Sequence, residues 1–142
     1  MNPVLKPALE AGRITLAPWI GEVSAPEPAR LDVRLKAADL YAAAQALHAV
    51  SWGILSAITG LDQGEHIEVL YHFSARTPIL TLRVSVPKTA PHLPSLSALF
   101  PGAELAEREL REMFGVEIEG LLNTDHVFLP DDWQAGTYPL RK

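Results

Sequence analysis

The sequence predicts an α+β fold, with helices packed against a mostly antiparallel sheet, and three stretches carry the prediction. Between residues 67 and 86, two runs alternate apolar with polar side chains about a short link. Residues 37–50 are alanine-rich, with leucines on one face. Between residues 104 and 115, apolar residues recur at helical spacing within an otherwise ionic segment. Strand periodicity in one place and helical periodicity in two others, in the order strand, helix, three strands, helices, describe a single α+β domain.

Residues 1–30 read as an N-terminal arm, partly extended. Pro3, Pro7, Pro18, Pro26 and Pro28 break any long element, and Arg13 to Leu16 reads as a short strand. Such an arm either lies at the periphery or wraps a neighbouring subunit. Residues 31–120 form the domain proper. Leu31, Val33 and Leu35 alternate as in a half-buried strand. Ala37 to Val50 predicts a helix with Leu40, Ala43, Ala44 and Leu47 on its packed face, and with His48 placed to meet the helix dipole at its C-terminal end. Trp52 to Thr59 reads as a strand, followed by a turn over Gly60 to Gly64.

The hairpin comes next. Ile67, Val69, Tyr71 and Phe73 alternate with Glu68, Leu70 and His72; Leu80, Leu82, Val84 and Val86 alternate with Ile79, Thr81, Arg83 and Ser85. The link Ser74 to Pro78 is short enough to make the two strands antiparallel, and Pro87 ends the ladder. Leu93, Leu96 and Leu99 predict a short helix over Pro91 to Leu99, stopped by Pro101-Gly102. The last helix puts Ala106, Leu110, Met113 and Phe114 on one stripe. Its opposite face carries Glu104, Glu107, Arg108, Arg111 and Glu112, with Glu104–Arg108 and Glu107–Arg111 expected as i,i+4 ion pairs. Gly115 is the expected left-handed stop. Val116 and Ile118 then mark a short extended piece, and residues 121–142 form a loop-like tail anchored by Phe128, Trp133 and Tyr138.

Composition limits what such a domain can do. With 142 residues, 48% of them hydrophobic and 20% charged, the chain fits one globular domain with a real core. A net charge of −5 and the lack of any basic run argue against nucleic-acid binding. No cysteine is present, which excludes disulfides, thiolate catalysis and thiolate-held iron–sulfur clusters. No stretch reads as a secretory signal, and the longest apolar runs fall far short of the roughly 20 residues of a transmembrane helix, so attachment to a membrane is expected only through partners. His48, His66, His72, His92 and His126 are scattered, with no second ligand at metal-site spacing. Glu107, Glu109 and Glu112 could serve acid–base chemistry only in a shifted environment beside a pocket, whereas alternation with arginines suits an ion-pair face. No glycine-rich phosphate loop and no Ser/His/Asp set stands out.

Three blocks carry a resemblance: Glu107-Arg108-Glu109-x-x-Glu112-Met113-Phe114-Gly115-Val116, then Phe128-Leu129-Pro130-Asp131-Asp132-Trp133, then Pro139-Leu140-Arg141-Lys142. In this order they are similar to the 30-kDa subunit family of respiratory complex I, the C subunit of bacterial NADH-quinone oxidoreductase, which has relatives in membrane-bound energy-converting nickel–iron hydrogenases. The resemblance is specific over about residues 88–142 and one of pattern over 31–87. It departs after Gly120, where the family's histidine, proline and basic pair are replaced by Leu121-Leu122-Asn123-Thr124-Asp125-His126. The link from Trp133 to Pro139 is longer than in respiratory subunits and closer to the hydrogenase type. The chain also ends at Lys142, where the family runs on.

The resemblance implies a cofactor-free accessory subunit of the hydrophilic arm of a complex-I-like oxidoreductase, either NADH:quinone oxidoreductase or an energy-converting hydrogenase. It would be cytoplasmic, held at the inner face of the cell membrane by the complex, with no direct membrane insertion. Its partners would be the large catalytic subunit and neighbouring iron–sulfur subunits. Glu107, Arg108, Glu109, Glu112, Phe114, Gly115, Trp133, Pro139, Leu140, Arg141 and Lys142 would form the docking face. The alternatives are a freestanding small enzyme and a soluble ligand-binding module, each using the glutamate-rich helix.

Overall fold

The computed structural model describes residues 6–121, 125–130 and 132–141. In chain order the elements are α1 (Pro7–Leu16), β1 (Val23–Glu27), β2 (Arg30–Leu35), a single 3₁₀ turn (Ala37–Asp39), α2 (Leu40–Ala49), β3 (Ile54–Asp62), β4 (His66–Ser74), β5 (Ile79–Pro87), β6 (His92–Pro94), α3 (Ala103–Phe114) and β7 (Glu117–Glu119). The main sheet runs β1-β2-β5-β4-β3, and β6 pairs with β7 apart from it. Three of its four pairings are antiparallel; β2 and β5 are parallel, because the chain crosses through α2, β3 and β4 before returning beside β2.

The alternation in β4 and β5 sets the inner face of the sheet. Tyr71 stands opposite Leu82 and Val69 opposite Val84, and all four are fully buried. Leu31 and Val33 of β2 continue this face beside Leu80 and Leu82. Leu40, Ala43, Ala44 and Leu47 of α2 cover it, the residues that the helical spacing selects. His48 lies in the last turn of α2, its ring edge-on to Phe100 at 5.4 Å.

Three expectations are corrected. Arg13 to Leu16 belongs to helix α1 rather than a strand. Pro7 at its first turn is preset for helix, and Leu9, Gly12 and Leu16 at i, i+3 and i+7 are buried. From residue 7 onward the expected arm is thus part of the domain. Trp52 Nε1 donates to the Ala8 carbonyl at 2.7 Å, and a Cβ at Gly12 would lie 3.1 Å from that nitrogen. Pro91 to Leu99 is not a helix. Leu93 pairs with Ile118 in the small β6–β7 sheet, Ser95 N–H donates to Glu119 O at 2.7 Å, and the leucines reach the core from an extended segment and the turn after it. The expected turn at Gly60 is also displaced. β3 continues to Asp62, and Gly60 is the point where α3 crosses the strand: a Cβ there would meet Phe114 at 2.6 Å and Leu110 at 3.0 Å.

Arg83 points away from the core, toward Glu68 and Asp32 on the polar outer face. Truncating Leu82 to alanine removes a fully buried side chain and is expected to cost about 2–5 kcal/mol in urea unfolding. Arg83→Ala is expected to cost about 1 kcal/mol, since Arg34 still pairs with Glu68. Equal losses for the two would show that the strand faces the other way.

Candidate functional site

Helix α3 and the tail form the region singled out by the sequence. Leu110 and Phe114 lie on its buried stripe as expected, while Ala106 and Met113 are only half-buried. Ala103, Glu107, Leu110 and Phe114 at 0, 4, 7 and 11 are the residues turned inward. A carboxylate therefore occupies a core position.

Glu107 is fully buried, with both oxygens engaged. Oε1 accepts from Ser95 Oγ and Oε2 accepts from the Leu96 N–H, each at 2.7 Å. Burial pushes its pKa above the ordinary 4.5, and Glu104 adds to the rise; the bonds from Leu96 and Ser95 pull the other way and lose. Burial also raises the pKa of the Tyr71 phenol, and the Glu107 charge adds to that shift. Glu112 is 4% exposed and accepts from the backbone N–H groups of Val127 and Phe128, the latter at 3.0 Å. Arg108 Nη2 donates to the Asp125 carbonyl at 2.9 Å. Among the described residues, neither expected ion pair (Glu104–Arg108, Glu107–Arg111) forms. The carboxylates of Glu107 and Glu112 and the Arg108 guanidinium hold loops of their own chain instead.

The C-terminal end of α3 is closed by the tail. Gly115 adopts φ 72° and returns its N–H to Arg111 O at 3.0 Å, as a left-handed helix stop requires. A Cβ there would stand 2.5 Å from the Tyr138 ring, so glycine is needed both for conformation and for space. Two carbonyls of the last helical turn find donors in the tail: Leu140 N–H reaches Met113 O at 3.0 Å, and Arg141 Nε reaches Phe114 O at 2.6 Å. The Arg141 guanidinium also stacks 4.7 Å from the centre of the Tyr138 ring. Trp133 Nε1 donates to Thr137 O at 2.8 Å, and His126 Nδ1 donates to Pro130 O at 2.7 Å. Between helix and tail lies a cavity of about 320 Å³ lined by Arg111, Glu112, His126, Trp133 and Tyr138.

The expected docking residues thus divide. Glu107, Glu112 and Phe114 are buried within the chain, and Gly115 lies under Tyr138. Glu109, Trp133, Pro139 and Leu140 are exposed, and Arg108 and Arg141 are half-buried. Lys142 falls outside the described residues. Phe128 and Leu105, 54% exposed each, add apolar surface that the sequence pattern did not assign to docking. Of the histidines, His72 lies between the hydroxyls of Thr59 and Thr81, and burial holds its pKa below the ordinary value. No helix among the described residues is long and apolar enough to cross a membrane.

The fold and this site define a single α+β domain whose tail is fastened to its own last helix. The chain belongs to the family described as respiratory-chain NADH dehydrogenase, 30 Kd subunit, whose model matches residues 33–142. It is 37% identical over 90 residues to the C subunit of the NADH-quinone oxidoreductase of Roseiflexus castenholzii, covering 62% of this chain and 51% of that protein. It is 34% identical over 119 residues to formate hydrogenlyase subunit 5 of Escherichia coli, covering 80% of this chain and 21% of the other. The chain therefore spans about half, or less, of the length of these relatives. A solved structure of the membrane-bound sulfane sulfur reductase, an archaeal respiratory membrane complex, contains the same fold at a TM-score of 0.81 and 23% identity, over 96% of this chain and 84% of that one.

Replacing Glu107 separates its packing from its charge. Glu107→Gln keeps an acceptor for Leu96 and a donor for Ser95 Oγ, and is expected to stay within about 1 kcal/mol of the parent. Glu107→Ala is expected to cost about 2–4 kcal/mol, because the buried Leu96 N–H loses its partner and a cavity opens. The folded pKa is raised, so ionising Glu107 costs stability. That cost is absent below the ordinary 4.5, grows as pH rises toward the folded pKa, and is constant above it. Melting of the parent relative to Glu107→Gln should therefore fall as pH increases through this window. A difference independent of pH would show that the carboxylate is not desolvated.

Proposed function

We propose that this chain is an accessory subunit of the hydrophilic arm of a complex-I-like membrane-bound oxidoreductase, carrying no cofactor of its own and docking on the large catalytic subunit. The parent is of the NADH:quinone oxidoreductase or the energy-converting hydrogenase type. Relatives of both kinds support this, one from an NADH-quinone oxidoreductase and one from formate hydrogenlyase. Neighbouring iron–sulfur subunits would be further partners, and the chain would sit at the inner face of the cell membrane through the complex.

One observation carries the reading. The tail is fastened to α3 by backbone and side-chain bonds, yet it leaves Phe128, Trp133 and Leu140 exposed at 54%, 37% and 53%. Fixed backbone bearing exposed aromatic and aliphatic side chains is the composition of an interface centre. The docking surface drawn from this geometry consists of Glu109, Phe128, Trp133, Pro139 and Leu140, with Arg108 at its margin. Glu112 positions its Phe128 end from below.

The enzyme and ligand-module alternatives have less support. Of the three carboxylates they would use, Glu107 and Glu112 already accept two hydrogen bonds each, and Glu109 is exposed on the helix surface rather than set in a pocket. The cavity beneath Trp133 is the place where a ligand module would have to bind.

Leu140→Asp separates these readings, since its side chain is exposed while its N–H holds Met113 O. Melting of the isolated chain is expected to stay within about 2 °C of the parent, as for other surface substitutions. In the complex the new carboxylate would be buried against an apolar surface, at a penalty on the order of 2–5 kcal/mol. Recovery of assembled complex from the membrane should then fall at least about tenfold. Arg108→Glu should lower both quantities, because it also releases Asp125. Unchanged assembly with Leu140→Asp would remove the tail from the interface. A small ligand that binds the isolated chain and is lost with Trp133→Ala would favour the module.

A further inference from the structure

The two edges of the main sheet are unlike. β1 is five residues long, contains Pro26, and shifts register between Ser24 and Glu27, each a feature that discourages further pairing. β3 is nine residues long, contains no proline, and has Asp62 as its sole charged residue. That carboxylate is turned inward, 7% exposed and 2.7 Å from Lys88 Nζ. From Ala57 to Asp62 the strand pairs with β4 without interruption.

Helix α3 does not cover this edge. It meets β3 through Gly60, which stands opposite the core residue Val69 and so faces inward. Ile54, Ser56, Ala57, Thr59 and Leu61 are exposed along the strand. Among the described residues, no backbone hydrogen bond leaves its far side. A long neutral strand with unpaired N–H and C=O groups is a template for one more strand.

We propose that the edge of β3 receives an extended segment from a partner subunit, continuing the five-stranded sheet to six. The hydrogen-bonding groups of an edge are satisfied by another extended backbone, which fixes the kind of occupant. Ile54 and Leu61, 67% and 38% exposed, give it apolar contacts and nothing that would recognise charge, so its side chains facing them are neutral or apolar. Where β3 begins, a cleft of about 480 Å³ between Leu55, Leu99, Phe100 and Pro101 can take a side chain at the end of the added strand. The inference rests on the subunit role proposed for the chain but uses a different surface from the tail.

Hydrogen exchange tests it on the isolated chain and on the complex purified from membranes. In the isolated chain, the β3 amides that do not bond to β4 should exchange fast, and in the complex their protection should rise roughly tenfold or more. Ala57→Lys combined with Leu61→Lys should leave melting of the isolated chain unchanged and reduce recovery of the complex. Unchanged exchange at β3 in a complex that contains the chain would overturn the inference while leaving tail docking intact. Protection already present in an isolated dimer would identify a second copy as the occupant and overturn it too. Recovery of the chain outside any complex would sink this inference and the subunit role together. Should the lysine variant fail to fold, the exchange comparison on the unaltered chain still decides.

Discussion

Glu107 is buried, and a carboxyl group without water must find its hydrogen-bond partners in the protein. It finds them in Leu96 and Ser95, eleven and twelve residues back along the chain. That need accounts for much of what lies around it. Leu96 N–H opens the turn that follows, in which Leu99 and Phe100 N–H return to Leu96 O, and the segment before it is extended and pairs with β7. Leu93 and Leu96 enter the core from that extended segment and the turn after it, on the two sides of the carboxylate's anchor. A leucine at position 107 would leave the Leu96 N–H orphaned, so the position needs a hydrogen-bond acceptor.

The same device recurs five residues later. Glu112 turns to the opposite side of α3 and receives the N–H groups of Val127 and Phe128. One helix thus fixes two loops with two carboxylates while Gly60 lets it approach the sheet edge. The dense charge of residues 107–112 has its explanation here. Glu107, Arg108 and Glu112 in this run are internal loop anchors, while Glu109 stays exposed.

The strands and helices that bury one clean face were legible in the sequence. Tyr71, Leu82 and Val84 alternate with polar neighbours, and α2 repeats its leucines and alanines at helical intervals; in both cases the period alone states the facing. Gly115 was legible because a left-handed stop has few other solutions. The failures have separate causes. Leu93, Leu96 and Leu99 have helical spacing, but long-range bonds from Glu107 and Glu119 decide their conformation, and no local pattern reports those. Helix α1 was hidden by flanking prolines, although Pro7 suits a first helical turn. Gly60 resembled a turn because a glycine cleared for a crossing helix looks the same as one in a loop. Glu107 had a signal that could have been used: it shares the spacing of Ala103, Leu110 and Phe114, and a charged residue on a buried stripe asks for a buried partner.

The tail shows how such anchors serve a surface. A loop of exposed aromatic and aliphatic residues would ordinarily lose freedom on binding, about 0.5–1.5 kcal/mol for each ordered side chain, besides its backbone. Here several of the described tail residues are held by the chain itself. Glu112 holds residues 127 and 128, Tyr138 closes over Gly115, and Leu140 and Arg141 take the last carbonyls of α3. The helix end supplies acceptors that need donors in any case, and the tail supplies donors that need a fixed place. Each therefore removes a cost of the other. Phe128, Trp133 and Leu140 are left exposed beside these fixed points, and the docking proposed for them would lose less freedom on binding than a free loop would.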